Sequence, residues 1–368
     1  MAYIHHIETL VPEISYTQEF ACEVMKTWTP EKNAQRYINK VYAASGINKR
    51  HCVVKDFGKE GSDSLSIYRS NGELKEPSTG ERNDVFIVES RAMVQEVARK
   101  AIENCSSVNT EDITHLITVS CTGFYNPGPD LAVMDALSLP ASVQRFHLGF
   151  MGCYAAFPAL KMAEQFCDAN PSANVLIVCV ELCSLHLQIK EDLDAILANS
   201  VFADGAAAVV VNGKKPESGG RGLDLKHFSC RLAPEGVEDM AWDIGDKGFN
   251  IVLSKYVARI IGAGIEGIIS EILGENELKP ENVDTWAVHP GGRSILDKIE
   301  TSLKIEEEQL AASRKVLFDY GNMSSPTILF ILAEILNGST TKDGERVCAM
   351  AFGPGLTIET AILDAVVS

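Results

Sequence analysis

The 368-residue sequence predicts an α/β fold made of two related halves. Three observations predict it. Continuous apolar runs of strand length, at 115–121 and 174–180, suit strands buried on both faces. Segments with helical apolar spacing alternate with them. The two halves also close alike: Asp204-Gly-Ala-Ala-Ala-Val-Val-Val211 and Gly353-Pro-Gly-Leu-Thr-Ile-Glu-Thr360 are each a turn followed by an apolar strand, which points to an internal duplication.

From the N-terminus, residues 16–27 and 32–44 carry the spacing of amphipathic helices. Residues 58–83 are rich in Gly, Ser, Glu and Pro. They predict a long surface excursion with turns at Ser70-Asn-Gly72 and Pro77-Ser-Thr-Gly80. A helix follows over 88–104, with Arg99 and Lys100 in its last turn, where cations suit the helix dipole. Strand 115–121, a strand ending near Leu148, a helix over 154–169, strand 174–180, a helix over 192–202 and strand 206–211 then alternate. Such βαβ traffic predicts a mainly parallel sheet. Asn212-Gly-Lys-Lys-Pro-Glu-Ser-Gly-Gly220 reads as a linker between 1–213 and 221–368. Beyond it come strand 222–230, a long helix over 250–273, strand 285–289, helices over 293–302, 307–317 and 325–337, and strands 347–352 and 356–363.

Hydrophobic residues make up 46% and charged residues 23%, the balance of a soluble globular protein. The net charge of −17 argues against nucleic acid or an anionic membrane surface as partner, while leaving room for a local basic pocket. No apolar run reaches the roughly 18 residues of a membrane span, so no integral membrane association is expected. The N-terminal segment lacks the basic and apolar regions of a signal peptide. The 10 cysteines form no CxxC pair and no zinc-spaced cluster with histidine. Together these predict a cytoplasmic, reducing location and no metal site. There is no P-loop, no dinucleotide fingerprint after a strand and no HExxH.

The chemistry concentrates in three segments. Gly149-Phe-Met-Gly-Cys153-Tyr-Ala-Ala-Phe-Pro158 puts a thiol at a Gly-rich corner between strand and helix. Backbone N–H groups and the helix dipole favour thiolate there, the form that attacks acyl groups; a buried core cysteine is the plainer alternative. Thr285-Trp-Ala-Val-His289-Pro-Gly-Gly292 ends an apolar strand in a histidine. Asp319-Tyr-Gly-Asn322-Met-Ser-Ser places an asparagine just before a helix, where it would also serve as an N-cap. All three lie at strand ends or helix starts, where open α/β sheets place their sites. Cys, His and Asn can form a covalent acyl-enzyme and donate hydrogen bonds to a thioester oxygen, stabilising the enolate left when a malonyl thioester loses CO₂. A papain-type protease uses the same residue types, but its local cysteine signature is absent.

These segments, together with Phe202-Ala-Asp-Gly-Ala-Ala-Ala208 and Phe352-Gly-Pro-Gly-Leu-Thr-Ile-Glu-Thr360, resemble the type III polyketide synthases, in order and over nearly the whole chain. This is the chalcone synthase-like group of the thiolase superfamily, here closest in character to its bacterial members. The resemblance implies a thiolase fold, with two duplicated α/β halves in a layered α-β-α-β-α core. Residues 1–213 would carry the nucleophilic Cys and residues 221–368 the His and Asn. It further implies that Cys153 accepts the acyl group and that His289 and Asn322 bind the thioester oxygen of malonyl-CoA. Phe202 resembles the aromatic residue at the base of the CoA tunnel, with core packing as its plain alternative. Trp242 resembles a residue lining the passage to the cavity. Gly353, Pro354 and Gly355 resemble the loop that shapes the cyclisation cavity. Cys121 stands where plant members usually have Thr and malonyl-primed bacterial members tend to have Cys, and it would either line the cavity or pack as a core cysteine. Lys49 and Arg50 would contact CoA phosphates or form a solvated basic turn.

By the same resemblance a charged His289 would hold Cys153 as thiolate. No cofactor is implied, since CoA thioesters are the substrates. Family members are homodimers, and the loop at Asn126-Pro127-Gly128 would cross the interface, with Asn126 in place of the Met of plant enzymes. The expected reaction is iterative decarboxylative condensation of malonyl-CoA onto a starter acyl-CoA, then cyclisation to a pyrone, a resorcinol or another small polyketide. Small residues at Ala155, Ala156, Ala206 and Ala207 favour a fatty acyl starter. Cys121 favours a malonyl starter and a tetrahydroxynaphthalene. A single-round, fatty-acid-initiating ketoacyl synthase is a further reading, although its histidine and asparagine segments differ from those here. An inactive binding paralogue is another, which intact Cys153, His289 and Asn322 argue against.

Overall fold

The structure, a computed structural model, describes residues 1–54, 67–70, 73–254 and 257–367. Residues 58–66 of the expected excursion, and Asn71 and Gly72 of its turn, lie outside the described residues.

The core is a 9-stranded sheet. In chain order its strands are β1 (Ala2–Leu10), β2 (His115–Ser120), β3 (Gln144–Gly149), β4 (Asn174–Leu182), β5 (Asp204–Asn212), β6 (Arg221–Leu232), β7 (Thr285–Val288), β8 (Arg346–Gly353) and β9 (Thr357–Val367). Their spatial order is β7-β8-β9-β6-β1-β5-β4-β2-β3. Within this sheet, among the described residues, parallel pairing is confined to β2 with β3, β2 with β4, and β7 with β8. The remaining pairs are antiparallel, so the sheet is mixed rather than mainly parallel. The reason is plain at β8 and β9. Only Pro354–Leu356 joins them, and a strand that returns through so short a link must run antiparallel. One pairing scheme occurs twice. β2 runs parallel to β4, then β5 and β1 follow antiparallel; β7 runs parallel to β8, then β9 and β6 follow antiparallel. β1 and β6 join the two sets, with Ala2 opposite Leu225 and Ile4 opposite Leu223.

Side-chain alternation sorts the apolar residues into layers. On β5, Ala207, Val209 and Val211 face a central cluster, while Ala206, Ala208 and Val210 face an outer one. The central cluster holds two buried helices, Ala156–Ala169 and Pro326–Asn337, between the wings of the sheet. The second is apolar on nearly every side, as a helix enclosed by strands must be. Helix Thr79–Glu103 covers the outer face of the first wing, and Val257–Glu275 with Arg293–Leu303 covers that of the second. The result is helix, sheet, helix, sheet, helix.

Several boundaries differ from expectation. Pro77-Ser-Thr-Gly80 is not a turn but a helix start. The Ser78 hydroxyl accepts the Glu81 N–H, the Glu81 carboxylate accepts the Ser78 N–H, and the helix runs from Thr79. The expected helix over 250–273 is Val257–Glu275, and its upstream part belongs to a hairpin of Met240–Gly245 and Gly248–Leu253. Phe249, Ile251 and Leu253 alternate inward along it, the strand period that a helical reading overlooked. A 3₁₀ turn, Glu307–Leu310, precedes helix Ala311–Tyr320, where one helix over 307–317 was expected. β1 and helix Pro129–Leu137 had no sequence assignment. Among the described residues no helix is long and apolar enough to cross a membrane.

Candidate active site

Cys153, His289 and Asn322 line one chamber, with about 810 Å³ of empty space, at the junction of the two wings. Each arrives on a different element. β3 ends at Gly149, and the chain turns through Phe150 (φ +60°) and Gly152 (φ +86°) into Cys153, one turn ahead of the Ala156–Ala169 helix. Left-handed backbone at a non-glycine residue is strained, so the surrounding packing must hold this corner. It does so tightly: a Cβ at Gly152 would lie 2.5 Å from Pro354 Cδ.

His289 follows β7, and its N–H donates to the Met350 carbonyl of β8 at 2.9 Å. Asn322 is clamped through its backbone. Its N–H donates to Val201 O at 2.9 Å, and its carbonyl accepts from Ala203 N at 2.8 Å, a bridge that sets it beside Phe202. The Asn322 Oδ1 accepts the Ser324 N–H at 2.8 Å, so the amide keeps its NH₂ donors for other partners. Ser324, which lines the chamber, sits at φ +57° and is a second strained residue near the thiol.

Burial dominates the electrostatics. It pushes the Cys153 thiol up to about 11, and neighbouring Glu181 adds to the rise. Hydrogen bonds from the Ser324 and Asn322 side chains pull the other way. Burial pushes the His289 imidazole down to about 3. Both His289 ring nitrogens are buried without a hydrogen-bond partner among the described residues. Burial thus favours the neutral thiol and the neutral imidazole in the substrate-free pair, against the expected thiolate and imidazolium. A neutral ring still has one N–H to donate, and beside the Asn322 NH₂ it makes a donor set suited to an oxyanion.

Phe202, Cys121, Trp242 and Pro354 also line the chamber. Gly353 and Gly355 flank Pro354 without lining it. A Cβ on Gly353 would meet Tyr154 Cδ1 at 2.4 Å, and Gly355 takes φ +73°. Lys49 and Arg50 stand in a short strand, Lys49–His51, paired with Ser15–Thr17. The Arg50 guanidinium turns inward, donating to Gln18 Oε1 at 2.9 Å, Asn199 O at 2.8 Å and Phe202 O at 2.7 Å; it braces the Phe202 backbone. Lys49 lines neither this chamber nor the one beside it. Ala155, Ala156, Ala206 and Ala207 are packed core and open no space at the chamber.

Sequence reasoning missed four residues in or beside this site. Glu181, fully buried at the end of β4, accepts from Ser325 Oγ at 2.7 Å, Thr122 Oγ1 at 2.8 Å, Cys121 N at 3.0 Å and Cys121 Sγ at 3.2 Å. Burial raises its pKa, against the pull of those bonds. Ser324 lies 3.6 Å from Cys121 Sγ. Phe249 stacks on Trp242 with centroids 4.8 Å apart, and His186 stacks on Phe249 at 3.7 Å. Only Glu181 left a signal in the sequence, as an acid ending an otherwise apolar run.

Fold and site together define an acyl-transferring condensing enzyme on a thiolase-like α/β scaffold. Residues 2–216 match the chalcone and stilbene synthases, N-terminal domain, and residues 224–367 match their C-terminal domain; the chain belongs to this family and is a type III polyketide synthase. A curated relative, "Alpha-pyrone synthesis polyketide synthase-like Pks18" of Mycobacterium tuberculosis, is 29% identical over 370 residues, 99% of this chain and 91% of the relative. The crystal structure of PKS-I from the brown alga Ectocarpus siliculosus superposes with a TM-score of 0.92 at 30% identity, covering 99% of this chain and 98% of that one. That of 1,3,6,8-tetrahydroxynaphthalene synthase from Streptomyces coelicolor gives a TM-score of 0.87 at 27% identity, covering 100% of both.

Proposed function

We propose that Cys153 takes a starter acyl group from CoA and that His289 and Asn322 bind the thioester oxygen of malonyl-CoA while it loses CO₂. The enolate then attacks the acyl thioester, and the lengthened chain returns to Cys153 for further rounds before it cyclises. One observation carries this reading: a thiol, an imidazole whose ring nitrogens find no partner among the described residues and an amide that donates toward that thiol line one largely apolar chamber. There the donors are worth more than in water, because charge develops where solvent is excluded. In this scheme residues 1–213 supply the nucleophile and residues 221–368 the two donors. CoA thioesters are the substrates, and no metal or cofactor takes part.

A fatty acyl starter remains the favoured one, on different grounds from the alanines. A second chamber, with about 660 Å³ of empty space, adjoins the first, and Cys183, His186, Phe202 and Ile251 line both. Its far wall includes Phe20, Val24, Met25 and Leu187, surface suited to an aliphatic tail. The Cys121 thiol, in contrast, is turned onto Glu181. We also infer a cytoplasmic homodimer. Phe124 and Phe150, 48% and 44% exposed with ring centroids 6.0 Å apart, give an apolar patch beside the edge strand β3 for a second copy to cover.

The test is incubation with malonyl-CoA, alone and with acyl-CoAs of increasing length, followed by product mass. The proposal expects pyrone or resorcinol masses that track the acyl chain added. Equal turnover without any added starter overturns the fatty acyl choice in favour of malonyl priming.

A further inference from the structure

His186 is a buried imidazole that the condensation scheme leaves without a task. It sits in the 3₁₀ turn Cys183–His186 after β4 and lines both the reaction chamber and its neighbour. Its Nε2 lies 2.6 Å from the Thr122 carbonyl, which can only accept. Nε2 must therefore carry the proton. In the neutral ring Nδ1 is then a bare lone pair. Nδ1 is buried and has no hydrogen-bond partner among the described residues. Burial, helped by nearby Arg82, pushes the ring down to about 4, so it stays neutral through the physiological range.

The ring is also held in place. It lies flat on Phe249, with an interplanar angle of 11°, and Phe249 stacks in turn on Trp242 of the same hairpin. The turn carrying it is pinned by Arg82, whose guanidinium donates to the Leu185 and Leu187 carbonyls at 2.5 and 2.9 Å. An acceptor so fixed, desolvated and unpaired, on a ring that lines the chamber, is costly, and a buried group of this kind calls for an explanation. A poly-β-keto chain supplies the missing partner, because its enol tautomer carries an acidic O–H.

We propose that His186 is a further catalytic residue of the chamber, whose Nδ1 takes the proton of an enol hydroxyl on the extended chain and directs ring closure through oxygen. The inference rests on the proposed condensation and specifies how its product is released. The enol O–H proton passes to Nδ1 as that oxygen attacks the thioester carbonyl on Cys153. A C–O bond forms, the C–S bond breaks, and the leaving sulfur recovers the proton from the ring. A six-membered lactone, a free Cys153 thiol and a neutral His186 result, with no other reactant needed.

Two variants test this. His186→Gln keeps a donor for the Thr122 carbonyl, and His186→Phe keeps the stack on Phe249; neither presents the Nδ1 acceptor. Products are quantified per CoA released, as lactone against carbon-closed ring plus hydrolysed acid. Both variants are expected to lower the lactone fraction at least tenfold. An unchanged ratio in His186→Gln overturns the proposal. So does a change seen only in His186→Phe, which shows a packing role. A second measurement needs no variant: ¹⁵N-histidine NMR of the wild-type protein with a 4-hydroxy-2-pyrone added. A shifted His186 Nδ1 resonance supports the assignment, and an unmoved one overturns it. Wild-type protein that releases no CO₂ from malonyl-CoA fails the condensation reading itself, and this inference falls with it.

Discussion

Gly152 and Pro354 interlock. A Cβ on Gly152 would lie 2.5 Å from Pro354 Cδ, nearer than packed carbons come, so the Cys153 corner and the loop after β8 fit only because position 152 has no side chain. Gly353 repeats the arrangement from the other side, with Tyr154 Cδ1 at 2.4 Å from its virtual Cβ. The glycines thus fix the height of Cys153 against the wing that carries His289.

Gly152→Ala is therefore expected to move the thiol. Position 152 sits at φ +86°, which adds strain of about 1–3 kcal/mol to the clash. Condensation should fall by about 100-fold or more, since small displacements of a reacting group are that costly. Steady-state kinetics with a melting curve checks both effects; wild-type turnover in this variant shows that the corner tolerates a side chain.

In the proposed scheme His289→Ala and Asn322→Ala each remove a donor to the developing enolate. Release of CO₂ from malonyl-CoA should drop by about 10²–10³-fold in either variant. Cys153→Ala should depress condensation more than CO₂ release, because decarboxylation needs the oxyanion donors and not the nucleophile. A CO₂ assay beside product quantification separates the two steps.

The resting protonation state makes a pH prediction. With burial holding the Cys153 thiol up to about 11, little thiolate exists at pH 7, and the fraction grows as pH rises toward that value. Iodoacetamide labelling of the substrate-free protein at Cys153 should climb by roughly tenfold per pH unit between 7 and 10. Fast, pH-independent labelling at pH 6 shows instead that charge pairing with His289 outweighs burial.

Much of this site was legible because its three polar residues end or precede apolar runs at glycine-marked corners, a local pattern that survives in one dimension. The strands β4 and β5 were legible for the same reason. What stayed hidden is non-local. β1 alternates poorly because both edges pair with distant strands, β5 and β6. The hairpin Met240–Leu253 packs over the chamber and not in the sheet, so its period is short and easily taken for the run-in to a helix. Ser324 and His186 gain meaning only from what faces them. The small residues Ala155, Ala156, Ala206 and Ala207 misled because small size in sequence does not distinguish a cavity from close packing.

Filling the second chamber should change starter choice. Ala198 is buried on helix Leu193–Val201 and lines that chamber. Ala198→Phe is expected to cost about 1–3 kcal/mol of stability by overpacking. It should lower kcat/KM for long acyl-CoAs by about tenfold relative to short ones, a loss of about 1.4 kcal/mol in tail binding. A chain-length series on both proteins reads the ratio.

The most direct measurement is the intact mass of the protein after exposure to an acyl-CoA, followed by peptide mapping. A single acyl group on Cys153, absent from Cys153→Ala and discharged with CO₂ and free CoA when malonyl-CoA is added, is the predicted result. Wild-type protein that carries no acyl group, or a Cys153→Ala protein that carries the same one, contradicts the assignment of this thiol as the condensing nucleophile.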